Sequence, residues 1–166
     1  WLQRSLPSET VHPRAVIDQA LRTIAPLARQ LNVAISTDVQ ADLPPVVGQE
    51  SLLRQALLGL LTAAAHAAVG GQVEIVAAYV DDALCLEVCA RPAAVTREKA
   101  AGETTTGVEE NLHMAQELVE LTGGRLTVDE PLTGGLLARL WLRPAEQASV
   151  LAIDDNADTL KLYERY

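Results

Sequence analysis

Two glycine pairs, Gly70-Gly71 and Gly123-Gly124, sit at the same kind of junction in this sequence. Before each pair, apolar residues recur at the spacing of a helix face; after each, they alternate as in a strand. The first junction closes a helix expected from about Gln49 to Val69, with Leu52, Leu53, Ala56, Leu57, Leu60, Leu61 and Ala64 on its inner face. The second closes a helix expected from about Gly107 to Thr122. Glycine is the usual residue just past a helix end. Repeated helix-to-strand switches call for helices laid against a sheet.

The remaining segments supply the other elements. From Pro13 to Leu31, apolar residues line one helix face, with Pro13 suited to the first turn and Pro26 expected to bend the helix. Val33–Val39 alternates as a half-buried strand, and Asp42-Leu-Pro-Pro45 reads as a rigid turn. Gln72–Val80 and Ala83–Cys89 flank Asp81-Asp82 and read as a β-hairpin with a polar turn. Arg91 to Thr106 has no period and reads as a long loop, of the kind that is usually functional or mobile. Arg125–Asp129 and Gly135–Arg143 complete the set around a turn at Pro131–Gly134. The expected fold class is α/β. It is a two-layer sandwich with a five-stranded mixed sheet near 33–39, 72–80, 83–90, 125–129 and 135–143, and three helices on one face.

Composition narrows the function. With 166 residues the chain has material for one domain and a short extension. Phe is absent, so Leu, Val and Ala must fill the core. Twenty-two acidic against 13 basic residues give a formal charge of −9, which opposes nucleic acid and anionic membrane surfaces as partners. No apolar stretch approaches the roughly 18–20 residues of a spanning helix, and the first residues do not read as a signal peptide. A cytoplasmic location is expected, with any membrane anchor of the intact protein upstream. Cys85 and Cys89 lie on one expected strand about 13 Å apart, beyond the roughly 7 Å reach of a disulfide.

Three phrases carry a family resemblance. DLPPVVGQESLLRQALLGLL, LVELTGGRLTV and TGGLLARLWLRP, in that order and spacing, resemble segments of the ATPase domain of bacterial sensor histidine kinases. That fold is shared with gyrase-type ATPases and the heat-shock chaperone ATPase, and the likeness runs from about Val11 to Pro144. In active relatives it implies ATP and Mg²⁺ as cofactors.

The positions that do this chemistry in the family are changed here. Its Asn-Leu-Leu-x-Asn-Ala motif corresponds to Gly59-Leu-Leu-Thr-Ala63-Ala, so Ala63 offers no oxygen to Mg²⁺. His66 stands for the family's basic residue. The Asp-x-Gly-x-Gly motif falls on Ala90, Pro92 and Ala94; Ala90 cannot accept from an adenine amino group, and Pro92 has no N–H. The second glycine box falls on Glu109-Glu110-Asn111. There Thr106-Gly-Val-Glu109 reads as a capping box whose acids occupy the helix end that would greet phosphate. Three lost contacts at about 1.5–3 kcal/mol each total roughly 4–9 kcal/mol, or about three powers of ten in affinity after discounting for non-additivity. No nucleotide or metal is expected to bind, and no catalytic residue is assigned.

VLAIDDNADTLKLYERY resembles the first strand and helix of a receiver domain, in which Asp154 and Asp155 match the acidic pair that helps hold Mg²⁺. The expected organisation is therefore an ATPase-like domain over 1–144, with 1–12 the tail of a connection from dimerisation helices. A linker follows at 145–148, then a receiver start at 149–166. The implied partners are the upstream dimerisation helices, the downstream receiver and, by self-association, a second copy.

Other polar residues have plainer readings. His12, His66 and His113 read as surface or capping residues. Trp141, Arg139 and Arg143 share the outward side of the last strand, as a solvated face or as an interface. The expected function is a two-component signalling module of a hybrid sensor histidine kinase, a pseudo-ATPase acting by protein contacts. The alternatives are a divergent but active ATP-dependent kinase domain, and a sensor whose vacated pocket binds another ligand.

Overall fold

The computed structural model describes residues 9–93, 105–129 and 135–145. Its elements run β1 (Glu9–Val11), α1 (Pro13–Gln30), β2 (Ala34–Val39), β3 (Val46–Gly48), α2 (Glu50–Ala67), β4 (Gln72–Val80), β5 (Ala83–Arg91), α3 (Thr105–Leu121), β6 (Arg125–Asp129) and β7 (Leu136–Leu142).

Helix α1 starts where Pro13 follows His12, an extended residue whose side chain makes no capping bond. Proline lacks the amide that the first turn leaves unpaired, so the start is tolerated without a cap. Pro26 lies inside this continuous helix, on its exposed side. The helix stops in a Schellman motif. Val33 N donates to Ala28 O at 2.8 Å and Asn32 N to Arg29 O at 3.2 Å, with Asn32 in the left-handed region at φ 54. Helix α3 repeats the motif: Gly123 N donates to Glu120 O and Gly124 N to Val119 O, with Gly123 at φ 76. This is why the second glycine pair ends a helix and launches a strand.

The main sheet has the order β2-β4-β5-β7-β6. β2 runs parallel to β4, and every other neighbour is antiparallel, so the sheet is mixed as expected. The β4–β5 turn has Asp81 and Asp82 at φ 50 and 60, the geometry of a type I′ turn. Val73, Ile75, Leu84, Leu86, Val88 and Leu140 point from the three central strands into the core, where each is almost completely buried. Each such side chain contributes about 1.5–3 kcal/mol relative to exposure. The helices cover this face, while the alternate residues on β4, β5 and β7 stay half exposed. The result is a two-layer α/β sandwich with α1, α2 and α3 on one side.

Two short elements go beyond the sequence reading. β1 pairs antiparallel with β3, from Glu9 opposite Gly48 to Val11 opposite Val46. On the other side of β3 the chain leaving β7 is bound: Val47 N donates to Arg143 O at 3.0 Å and Ala145 N to Pro45 O at 2.8 Å. Val11 and Val46 are core residues, at 2% and 0% exposure. Residues 9–11 therefore pack against the domain, and Ala145 is tied to it. Glu9 also reaches across 41 positions to accept the Glu50 amide at 2.9 Å. It thereby caps α2, whose own N-cap residue Gln49 makes no side-chain cap.

Candidate functional site

Of the positions singled out in the sequence, those within the described residues lie on α2, at the end of β5 and in the opening turns of α3. α2 brings Gly59, Ala63 and His66 along its second half. β5 carries Ala90 near its end, with Pro92 just beyond. The opening turns of α3 carry Glu109 and Asn111. Backbone contacts join these elements. A Cβ on Gly59 would lie 3.2 Å from Asn111 O and 3.7 Å from Ala115 Cβ, so glycine lets α2 and α3 approach closely. Ala93 N donates to Val69 O at 3.5 Å, tying the exit of β5 to the turn after α2. Gly71 and Gly135 lie directly against the Ala90–Ala93 backbone, with no room for a side chain at either. Ala94 lies outside the described residues, as do Asp154 and Asp155.

The surroundings of these positions are apolar. Ala63 is 0% exposed and Ala90 1%, and both belong to the hydrophobic core. No polar or charged residue is buried among the described residues. A magnesium ion needs oxygen ligands. Ala63 supplies none, and the described residues hold no group of three or more His, Cys, Asp or Glu placed for a metal. His66 is half-buried in the last turn of α2. Position 90 presents only a methyl group to the core. Among the described residues, neither Ala63 nor Ala90 offers a side-chain oxygen to a ligand.

The capping box expected at Thr106–Glu109 is not formed in that way. α3 already begins at Thr105, so Thr106 lies within the helix instead of at its cap. The helical period has overridden the local Thr-x-x-Glu signal by extending the helix upstream. With the helix starting there, no acidic residue lies in its first turn, so Glu109 and Glu110 do not occupy the end that an anion would meet. In a helix beginning at Thr105, the amides of Glu109, Glu110 and Asn111 point at carbonyls four residues back and are not free. Asn111 Nδ2 also donates to Gly107 O at 2.7 Å, keeping its side chain on its own helix.

The three histidines have ordinary settings. His12 is exposed at the start of α1, and His113 pairs with Glu117 at 3.3 Å on the surface of α3. On the outward face of the sheet, Arg139 Nε donates to Glu87 Oε2 at 2.8 Å, and Arg139 Nη1 lies 3.5 Å from Asp129 Oδ2. The hydrogen bond and charge of Glu87 push the Arg139 pKa up. Arg139 is thus engaged within its own sheet, while Trp141 beside it is half exposed and Arg143 exposed. Burial, followed by the charge of Glu87, raises the Cys85 thiol, against an opposing pull from Arg139. Both cysteines are free. Alternation placed these groups on one face, but it could not reveal which partner each would find across the strands. The Glu9 cap on α2 had no sequence signal either, because its two ends are far apart in the chain.

The fold is that of histidine-kinase catalytic domains. The catalytic domain of histidine kinase ThkA superposes with a TM-score of 0.67 at 14% identity, over 84% of this chain and 97% of that one. Acinetobacter baumannii histidine kinase AdeS gives 0.65 at 16% identity, over 85% of this chain and 69% of that one. Full-length ShkA in complex with AMPPNP gives 0.68 at 23% identity, covering 87% of this chain and 32% of that one. No family model matches the sequence, and none of the curated proteins matches it. No helix among the described residues is long and apolar enough to cross a membrane.

Proposed function

We propose that this chain is a signalling module of a two-component sensor histidine kinase, in which the ATPase fold is kept and its nucleotide chemistry is lost. Its output is protein contact: it positions or restrains upstream dimerisation helices and a downstream receiver. Residues 149–166 are the start of that receiver, with Asp154 and Asp155 its acidic pair, and the module works on the cytoplasmic side. The observation that carries the reading is the burial of Ala63 and Ala90 in an apolar core at the positions where the resembling family holds magnesium and adenine. The small sheet of β1, β3 and residues 143–145 supports the contact role. It sets the entry and exit of the domain on either side of one strand, so displacement of one is felt by the other.

Thermal unfolding with ATP and Mg²⁺ tests this. A site with a dissociation constant of about 10 μM, saturated at about 1 mM ligand, would stabilise the fold by about 2.7 kcal/mol. That corresponds to a rise of at least about 5 °C for a domain of this size. The expected result is no appreciable shift. A rise of several degrees that disappears on chelating Mg²⁺ would restore the reading as an active kinase domain.

A further inference from the structure

Among the described residues, the main sheet ends on two strands with one neighbour each, β2 and β6. An unpaired strand edge presents a row of amides and carbonyls to any chain that can match it. β2 reads Ala-Ile-Ser-Thr-Asp-Val, with Asp38 its one charged residue, so no register of β2 on itself gives that carboxylate a cation. β6 reads Arg125-Leu-Thr-Val-Asp129 and is different. Laid antiparallel on a second β6 about a two-fold axis through Thr127, it sets Arg125 opposite Asp129, Leu126 opposite Val128, and Thr127 opposite itself. The alternation holds across the join. Leu126 is 9% exposed on the helix-covered face and Val128 packs against the same core. Arg125, Thr127 and Asp129 line the outward face with Trp141, Arg139 and Leu137, their respective register partners on β7. Arg125 is exposed and has no ion pair among the described residues.

We propose that the β6 edge is a self-association surface, at which two copies of this chain join their sheets through antiparallel β6–β6 pairing. The charge complementarity of Arg125 and Asp129 selects a second copy as the occupant, since each copy supplies both signs in the order the other requires. Opposite charges facing each other across antiparallel strands attract, and like charges repel. Stable complexes bury about 1,200–2,000 Å². Five residues from each side fall short of that, so this contact is weak alone. It gains when the copies are held together elsewhere, because tethering raises the effective concentration into the millimolar range. The inference rests on the geometry of β6 and not on loss of nucleotide binding.

A dilution series followed by amide NMR and sedimentation equilibrium, with mixed charge variants, provides the test. For the wild-type chain, amide shifts at 125–129 move with concentration up to about 1 mM. Arg125→Asp sets carboxylate against carboxylate twice and weakens association about tenfold or more. Asp129→Arg does the same with two cations; Arg139 keeps its Glu87 partner in that variant. An equimolar mixture of the two variants pairs opposite charges again and recovers association. Recovery cannot come from misfolding, and if Asp129→Arg proves unstable by circular dichroism, Arg125→Asp carries the test alone. A wild-type chain that stays monomeric at about 1 mM overturns the proposal. So does a dimer insensitive to Arg125→Asp, or a mixture that associates no better than its components.

Discussion

Replacing Ala63 by Asn puts back the side chain that the resembling family uses, and the structure gives the consequence. Ala63 is 0% exposed, one helical turn after Gly59, where α2 and α3 come close. The larger residue must displace its neighbours, and overpacking a filled core costs about 1–3 kcal/mol. It also brings two amide donors and a carbonyl into a core without a buried polar residue among the described ones. Leaving such a group unsatisfied costs about another 1–3 kcal/mol. The sum, about 2–6 kcal/mol, is a large share of the roughly 5–15 kcal/mol by which domains are stable. Ala63→Ser is the matched control: its small hydroxyl can bond a carbonyl one turn back, and it should cost about 1 kcal/mol or less. Urea unfolding followed by far-UV circular dichroism reads both. If the Asn variant stays within about 0.5 kcal/mol of wild type, as an exposed substitution would, the site has room and the packing argument is wrong. Nucleotide-dependent stabilisation of that variant with Mg²⁺ would refute it more completely.

Other perturbations test separate parts of the structure. Glu9→Ala should destabilise the domain by about 0.5–2 kcal/mol through loss of the α2 cap, measured by urea unfolding. Glu9→Gln, which keeps the acceptor and loses only the charge at the helix N-terminus, should cost less, about 0.3–1 kcal/mol. Asp82→Gly relieves the left-handed strain at φ 60 in the β4–β5 turn and should stabilise by about 0.5–1 kcal/mol in the same assay. Glu87→Gln removes a charge that raises the Cys85 pKa and frees Arg139 to favour the thiolate. Alkylation of Cys85 at mildly alkaline pH should therefore be faster than in wild type. In the wild-type chain a thiol pKa higher in the fold than in the unfolded state makes the fold bind the proton more tightly. That contribution is lost as pH rises through the ordinary thiol range toward the folded value.

Most of the fold was legible in the sequence because it is written in periodicity. The expected strands at 72–80 and 125–129 match β4 and β6 residue for residue, and the expected helices match α1 and α2 to within two residues at each end. Apolar spacing in these segments reports a buried face, and the glycine pairs at 70–71 and 123–124 mark the turns that end helices, with Gly70 and Gly123 left-handed. The candidate site was legible in part. Positions 63, 90, 109 and 111 could be named from order and spacing, and Ala and Pro state their chemistry by lacking donors or acceptors. The capping box at Thr106 was misread because a four-residue signal is weaker than the period of the helix around it. β1 and β3 were missed because three residues cannot show a period.

What the sequence by itself determined is therefore local: which segments turn, which alternate, and which polar atoms the candidate site lacks. Only the tertiary structure decided that Gly59 serves the approach of α2 to α3, and that Ala63 and Ala90 lie inside the core. The same holds for the Glu9 cap on Glu50, for Arg139 being held by Glu87, and for β6 lying at the sheet edge. These facts join residues that are far apart in the chain, and a one-dimensional period carries no information about which distant surface an element will meet. Packing supplies that information, because strand register and helix contact are fixed by how all the apolar faces are buried at once.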